Sequence, residues 1–171
     1  MTETQMPIHV IGLGVNEHAN LDASAQAALA SLSEQDIVLG SPRQHDTIAA
    51  YFHKAQRCDL PKLKQLEGDF ATWQTQGVTQ VVVLASGDPL YYGIGAWLMR
   101  NFSPENLMFY PNVSSIQVAC HRLGLSLQDV NVVSLHGRPL SSLRRHLKSN
   151  STLVLLTDQY SQPKHIAQEC V

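Results

Sequence analysis

The sequence contains few cysteines, little net charge and no long hydrophobic run. Its three cysteines, Cys58, Cys120 and Cys170, are widely separated and include no Cys-x-x-Cys pair. This pattern argues against both a disulfide framework and a zinc site. The formal net charge is −2 with neutral histidines, so no overall positive field favours nucleic acid as a partner. The longest apolar run, Val81–Ala85, is far shorter than the ~20 residues that span a bilayer.

The same absences point to a cytoplasmic protein. Residues 1–7 lack the apolar core of a secretion signal, and unpaired cysteines are typical of a reducing compartment. No spacing among the eight histidines indicates a metal site, so we expect none. A length of 171 residues is enough for one or two small domains with a real core.

Apolar runs alternate with helical spacing along the chain. The apolar runs predict strands at 8–12, 37–39, 81–85, 107–110, 130–135 and 153–156. The helical spacing predicts helices at 22–32, 45–52, 63–73, 93–100, 114–124 and 141–147, and another from Pro163. Because parallel strands need crossover connections, this alternation predicts an α/β fold with a parallel sheet. We place a Rossmann-like domain at 1–111 and a smaller α/β domain at 112–171.

Two loops that follow predicted strands carry the first indication of function. Gly12-Leu13-Gly14 follows the first strand, and segment 86–95 combines Asp88 with three glycines and two tyrosines. Ligands of open α/β sheets bind outside the carboxyl ends of the strands, and glycine permits close approach of a backbone. Glu17 replaces the third glycine of a G-x-G-x-x-G fingerprint. The first loop alone is therefore equally consistent with a plain tight turn.

Several segments together resemble the tetrapyrrole methylases. Segment 86–95 resembles the GDPxxYG loop of that family, residues 12–14 the first half of its GxGPG loop, and residues 111–119 its PGxSS segment at the domain junction. Gly-Ser-Pro-Arg at 40–43 and Ser-Leu-His-Gly-Arg at 134–138 are similar to the branch that methylates carbon 5 of a precorrin. The resemblance implies the two-domain tetrapyrrole methylase fold.

The sequence also departs from the family pattern. Val15-Asn16 replaces the usual Pro-Gly, and Asn112 replaces a glycine. Asparagine enters left-handed conformations more readily than most residues, so we expect the second exchange to be tolerated. The resemblance further implies that the second domain continues beyond position 171. We therefore expect the 171-residue form to be truncated, to self-associate and to be a poor enzyme.

The resemblance implies an S-adenosylmethionine-dependent methyltransferase of cobalamin biosynthesis, with S-adenosylhomocysteine as its product. No catalytic residue is assigned, because direct displacement at a sulfonium requires no enzyme nucleophile. Arginine binds carboxylates bidentately, and we expect Arg43, His136 and Arg138 to bind the acidic substrate. The expected cofactor-binding residues are Gly14, Ser86, Gly87, Asp88, Tyr91, Ser114, Ser115 and Thr157.

The resemblance implies a homodimer, a precorrin-type tetrapyrrole substrate, and a carbon-15 methylase/decarboxylase as a partner or fused domain. A basic cluster of Arg144, Arg145 and Lys148 is typical of a solvated helix face near its C-terminus, with substrate binding as the alternative. Two other functions stay open: a methylase of the same fold with another substrate, such as an rRNA ribose, and a non-catalytic nucleotide-binding module.

Overall fold

Five parallel strands form the sheet of the first of two compact units. The computed structural model describes residues 6–170, and the chain divides into the two units between Ser115 and Ile116. The strands follow the order β3-β2-β4-β1-β5 across the sheet, and every neighbouring pair is parallel. They are β1 (Ile8–Gly12), β2 (Ile37–Leu39), β3 (Gln56–Cys58), β4 (Val81–Ala85) and β5 (Leu107–Tyr110). The predicted α/β class and parallel sheet are confirmed.

Apolar side chains cover both faces of this sheet. In β1, Ile8 and Val10 belong to one buried cluster and Ile11 to another. A strand buried on both faces reads as a continuous apolar run rather than as an alternating one, which explains why β1 and β4 stand out in the sequence. The connecting helices are α1 (Ala23–Ala30), α2 (Pro42–Thr47), α3 (Leu63–Thr75) and α4 (Gly95–Asn101).

The second unit is smaller and contains a two-stranded parallel sheet. Strand β6 pairs with β7 in a register that runs from Val130 opposite Thr152 to Ser134 opposite Leu156. Val133, Leu135 and Leu143 form its buried core. Its elements are α5 (Ser115–Leu123), β6 (Val130–Ser134), a 3₁₀ helix (Leu140–His146), β7 (Thr152–Leu156) and α6 (Pro163–Glu169). Among residues 6–170, no helix combines the length and the apolar content that a membrane span requires.

The structure corrects two predicted elements and adds one strand that the sequence did not predict. The helix predicted at 45–52 is Pro42–Thr47, because Ser41 and Gln44 form a reciprocal capping box and proline occupies the first helical turn. Strand β3 was missed because Gln-Arg-Cys is short and largely polar, as a partly exposed edge strand can be. The segment predicted as a basic α-helix at 141–147 is the 3₁₀ helix Leu140–His146, a form common in short connections.

A buried carboxylate holds the amino-terminal edge of the five-stranded sheet together. Asp36, just before β2, is 0% exposed. Its Oδ1 accepts hydrogen bonds from the N–H and hydroxyl of Thr79 (3.1 and 2.8 Å) and from the N–H of Gln80 (3.0 Å). Its Oδ2 accepts from the N–H and hydroxyl of Ser33 (2.7 and 2.9 Å). Asp36 thereby ties the turn before β2 to the turn before β4.

Replacing Asp36 by alanine should cost much more stability than replacing an exposed helix cap. Asp36→Ala leaves several donors without their acceptor inside the protein, and we expect the free energy of unfolding in urea to fall by about 3 kcal/mol. The control is Asp22→Ala, which removes the exposed N-cap of α1 and should cost about 1 kcal/mol. Equal losses in the two variants would contradict a central role for Asp36.

The pKa of Asp36 sets the pH range over which its carboxylate stabilises the fold. Burial alone would raise the pKa, but hydrogen bonds from Ser33 N–H and the Thr79 hydroxyl outweigh it, so the pKa lies below its ordinary value of 3.8. A carboxyl whose pKa is lowered by folding stabilises the protein above its ordinary pKa and loses that contribution as the pH falls through the folded value. Below about pH 4, wild-type stability should therefore fall more steeply than that of Asp36→Ala.

Candidate active site

Three loops meet at the carboxyl-terminal edge of the five-stranded sheet. They follow β4, β1 and β5, which are adjacent and parallel in the sheet. Gly12, the last residue of β1, lies opposite Ala85, the last residue of β4, so the loops after these strands leave the sheet at the same level. This is the edge at which open α/β sheets bind ligands.

Gly14 and Gly87 join the first two loops by reciprocal backbone hydrogen bonds. The N–H of Gly14 donates to Gly87 O at 3.1 Å, and the N–H of Gly87 donates to Gly14 O at 2.8 Å. Gly14 has φ +69° and Gly87 φ +67°, a region that residues with a Cβ rarely adopt. Both glycines are therefore required by the backbone geometry of this bridge.

Glycine is required at position 12 for a different reason: there is no space for a side chain. A Cβ on Gly12 would lie 2.9 Å from Gly87 O and 3.0 Å from both Asn112 Cβ and Pro89 Cδ. The three loops thus contact one another around the end of β1 with no room for a side chain. This close packing makes the edge a defined surface rather than a set of independent loops.

Asp88 uses its carboxylate to fix the loop after β4. Its Oδ1 accepts the N–H of Leu90 at 2.9 Å, and its Oδ2 accepts the N–H of Asn112 at 3.2 Å. An ionised carboxylate has about four lone-pair positions, so two such bonds leave acceptor capacity for a ligand. The direct contact with a cofactor that the sequence predicts for Asp88 stays a prediction.

Other predicted residues of the first unit lie at the same edge with different exposure. Ser86 is exposed, and its hydroxyl accepts Gln44 Nε2 at 3.2 Å. Ser114 is only 4% exposed, and its Cα would lie 3.5 Å from a Cβ on Gly87, so it lies next to that loop. Ser115 is exposed at the start of α5, and Arg43 is exposed in α2, directly after β2.

An exposed pair of tyrosines adds aromatic surface to this edge. Tyr91, a predicted site residue, and Tyr92 are 38% and 52% exposed, and their ring centroids lie 5.2 Å apart in an edge-to-face arrangement. Tyr92 has φ +56°, which is uncommon for a residue other than glycine. Such strain is often found at functional sites, but no sequence pattern singles out this backbone conformation.

The remaining predicted residues lie in the second unit, at the carboxyl ends of β6 and β7. His136 and Arg138 follow β6, Thr157 follows β7, and all three are exposed. Asp158, which the sequence analysis missed, accepts the N–H of Gly137 with Oδ2 at 3.1 Å, and this bond is the main cause that lowers the pKa of Asp158. The sequence signal that could have identified Asp158 is its position: a carboxylate that follows Thr157 at the end of a predicted strand.

The basic cluster lies at the other end of the same two strands. Arg145 and Lys148 line a cavity of about 220 Å³ together with Asn131 and Leu153, near the starts of β6 and β7. Arg144 instead forms an ion pair with Glu169, with its Nε 2.7 Å from Oε2. The structure therefore does not bring this cluster together with His136 and Arg138.

The buried histidine of β1 has a structural role. His9 Nδ1 lies 2.8 Å from the Tyr110 hydroxyl and Nε2 lies 3.1 Å from Gln80 Oε1. Burial lowers the pKa of His9, which favours the neutral ring at this position. In the part of the chain that the structure describes, no group of three or more metal-binding side chains is found.

Comparison with known proteins identifies relatives over nearly the whole chain. The family model described as Tetrapyrrole (Corrin/Porphyrin) Methylases matches residues 7–170. A decarboxylating precorrin-6Y C(5,15)-methyltransferase of Sinorhizobium sp is 35% identical over 159 residues, and a cobalt-precorrin-7 C(5)-methyltransferase of Salmonella typhimurium is 31% identical over 163. The matches cover 93% and 95% of this chain. The chain spans 37% of the length of the first relative and 76% of the second.

Solved structures agree on the fold. A precorrin-6Y methylase of Archaeoglobus fulgidus has a TM-score of 0.65 at 21% identity, over 94% of this chain and 78% of that one. A cobalt precorrin-4 methyltransferase has a TM-score of 0.62 at 17% identity, over 95% of this chain and 73% of that one. These likenesses confirm the predicted fold.

Gly14→Ala should lower the free energy of unfolding more than Gly124→Ala, although both glycines have positive φ. Gly124 has φ +65° and nothing within 4 Å of a Cβ, whereas a Cβ on Gly14 would lie 2.9 Å from Asn112 Oδ1. Gly124→Ala should cost about 1–2 kcal/mol of unfolding free energy from the positive φ alone. Gly14→Ala should cost roughly 2–4 kcal/mol, because displacement of the Asn112 side chain adds to that strain. Equal urea midpoints for the two variants would rule out this account.

Proposed function

Because the chain belongs to the tetrapyrrole methylases, we propose that it transfers the methyl group of S-adenosylmethionine to carbon 5 of a precorrin in cobalamin biosynthesis. The observation that carries the proposal is the agreement of the relatives: two proteins named for methylation at carbon 5 share 35% and 31% identity over at least 93% of this chain. These names favour the proposal over a different substrate or a non-catalytic module.

The chemistry of the first unit's edge fits this cofactor. S-adenosylmethionine carries hydroxyl and ammonium donors, and the edge presents the Asp88 carboxylate, the exposed Ser86 and the peptide groups around Gly14 and Gly87. The glycines remove side chains that would keep a ligand away from the backbone. When bound, the cofactor supplies a methyl group on a sulfonium, which a carbon nucleophile displaces directly.

The task of the protein side chains is accordingly to bind and to orient. Holding two reactants in the right geometry is by itself a large contribution to rate, and loops fixed by mutual hydrogen bonds are suited to it. The Gly14–Gly87 bridge and the two bonds of Asp88 support the rigidity that this task needs. Tyr91 and Tyr92 offer exposed ring surface against which an apolar part of a ligand can pack.

Exposed cations at strand ends support an acidic substrate. A precorrin is bordered by carboxylate side chains, and arginine binds carboxylates through two parallel hydrogen bonds. Within residues 6–170, the Arg138 guanidinium has no ion-pair partner, and it stands beside His136 in the loop after β6. Arg43 is exposed at the carboxyl edge of the first unit's sheet. We assign these three side chains to the substrate carboxylates.

The proposal includes partners and location. The Sinorhizobium relative, of which this chain spans 37%, is named for both carbon 5 and carbon 15, which supports a carbon-15 methylase/decarboxylase as a fused domain or separate partner. The homodimer that the family resemblance implies, and the cytoplasmic location that the cysteine pattern and residues 1–7 indicate, belong to the same proposal. Gel filtration combined with light scattering measures the oligomeric state.

Calorimetry with S-adenosylhomocysteine tests the cofactor half of the proposal. The wild-type chain should bind it, and Asp88→Ala should weaken binding by roughly 1–3 kcal/mol, the range for lost hydrogen bonds to a charged group. Glu105→Ala is the control, since Glu105 is an exposed carboxylate just before β5, at the opposite edge of the sheet. Unchanged affinity in a folded Asp88→Ala variant would remove Asp88 from the site, and no binding by the wild type would contradict the proposal.

Arginine-to-lysine exchanges test the substrate half. Arg138→Lys keeps the charge but loses the two-pronged donor, so affinity for a precorrin should fall roughly tenfold while S-adenosylhomocysteine affinity stays constant. Arg145→Lys makes the same exchange at the other end of β6 and should change neither affinity. Mass spectrometry of precorrin incubated with S-adenosylmethionine then shows whether a methyl group is added. Equal loss of both ligands in Arg138→Lys would indicate damage to the loop instead.

A further inference from the structure

We propose that Asn112 is a positioning residue, whose amide groups hold the three loops of the first unit in the geometry that binds the cofactor. The inference rests on the proposed function only in assigning a cofactor to this edge. Asn112 stands where the family resemblance leads us to expect glycine, so its side chain is a feature of this chain.

The carboxamide of Asn112 uses both of its polar atoms. Its Nδ2 donates to Gly12 O at 3.0 Å and to Asn20 O at 3.2 Å, which accounts for both amide hydrogens. Its Oδ1 accepts the N–H of Val113 at 2.8 Å. The side chain therefore connects the end of β1, the segment before α1 and the loop after β5.

The backbone of the same residue reaches the remaining loop. The N–H of Asn112 donates to Asp88 Oδ2 at 3.2 Å, which joins the loop after β5 to the loop after β4. Asn112 is half-buried and thus bonds to each of the three loops at this edge. Loss of its side chain removes the link to the loop after β1 while the link to Asp88 is retained.

Asn112 also occupies the space beside Gly14. A Cβ on Gly14 would lie 2.9 Å from Asn112 Oδ1, so the carboxamide fills the position that a side chain at residue 14 would take. The bridge between Gly14 and Gly87 lies directly against it. The position of the Asn112 side chain therefore affects the backbone bonds that join the first two loops.

Backbone conformation does not explain the asparagine. Within residues 6–170, the non-glycine residues with positive φ are Tyr92 and Asn150. The expectation that Asn112 is tolerated through a left-handed conformation was therefore wrong. The two hydrogen bonds that Nδ2 donates, to Gly12 O and Asn20 O, explain the asparagine at this position instead. Aspartate would keep the acceptor for Val113 but would place an oxygen against the carbonyls of Gly12 and Asn20.

Three variants of the full chain test the proposal: Asn112→Ala, Asn112→Asp and the control Asn101→Ala. Asn101 is also half-buried, and its Nδ2 donates to Trp97 O at 2.7 Å, but it ends α4 at the opposite edge of the sheet. Asn112→Ala should raise the Kd for S-adenosylhomocysteine about tenfold and accelerate hydrogen exchange of the Gly14 and Gly87 amides. Asn112→Asp should be at least as damaging, and Asn101→Ala should lower the urea midpoint without changing either quantity.

Each opposite outcome overturns the proposal. An Asn112→Asp variant that stays closer to wild type than Asn112→Ala would mean that the residue acts through Oδ1 as a turn former. An equal change of Kd in Asn101→Ala would mean that only general stability matters. If the wild type binds no S-adenosylhomocysteine, the proposed function fails, and hydrogen exchange alone decides the role of Asn112. Unchanged exchange at Gly14 and Gly87 in Asn112→Ala, or in Asn112→Ser should alanine not fold, would then refute it.

Discussion

Two reciprocal hydrogen bonds between Gly14 and Gly87 hold the candidate site together. Before them, Leu13 N–H donates to Ala85 O at 2.8 Å, and the parallel pairing of β1 with β4 ends. The bridge is antiparallel, so the chains must change direction within one or two residues of the sheet edge. Positive φ at both glycines makes that change possible. The close approach of Gly87 O to Gly12 depends on the position that this bridge gives the two loops.

The two edges of the five-stranded sheet have different tasks. At the amino-terminal edge, Asp36 is fully buried and bound to groups of Ser33, Thr79 and Gln80, which stabilises the turns that start β2 and β4. At the carboxyl-terminal edge, Ser86 and Tyr91 stay exposed. A rigid sheet that positions exposed loops is a common arrangement for binding. Asp36 therefore stabilises the fold at the edge opposite the loops that are available to a ligand.

The same local device occurs in both units. Asp88 accepts the N–H of Leu90, two residues later in its own loop, with Oδ1. With Oδ2 it accepts the N–H of Asn112 in the neighbouring loop. Asp158 does the same with Tyr160 and with Gly137. A carboxylate in this position fixes its own turn and the adjacent loop at once, because it can accept several hydrogen bonds. Each unit thus uses one aspartate to order the loops at the carboxyl ends of its strands.

The buried strands, most of the helices and the two glycine loops could be predicted from the sequence, because each depends on residues within a few positions of one another. Continuous apolar runs predicted β1 and β4, and the motif at 86–95 predicted a ligand loop. Long-range packing decided that the polar segment Gln56–Cys58 pairs with β2 and that Asp36 is buried. It also decided that Asn112 bonds to groups 24 and 100 residues away. Those contacts follow from the strand order β4-β1-β5. The spacing of residues along the chain could not predict them, because it does not show which strands become neighbours in the sheet.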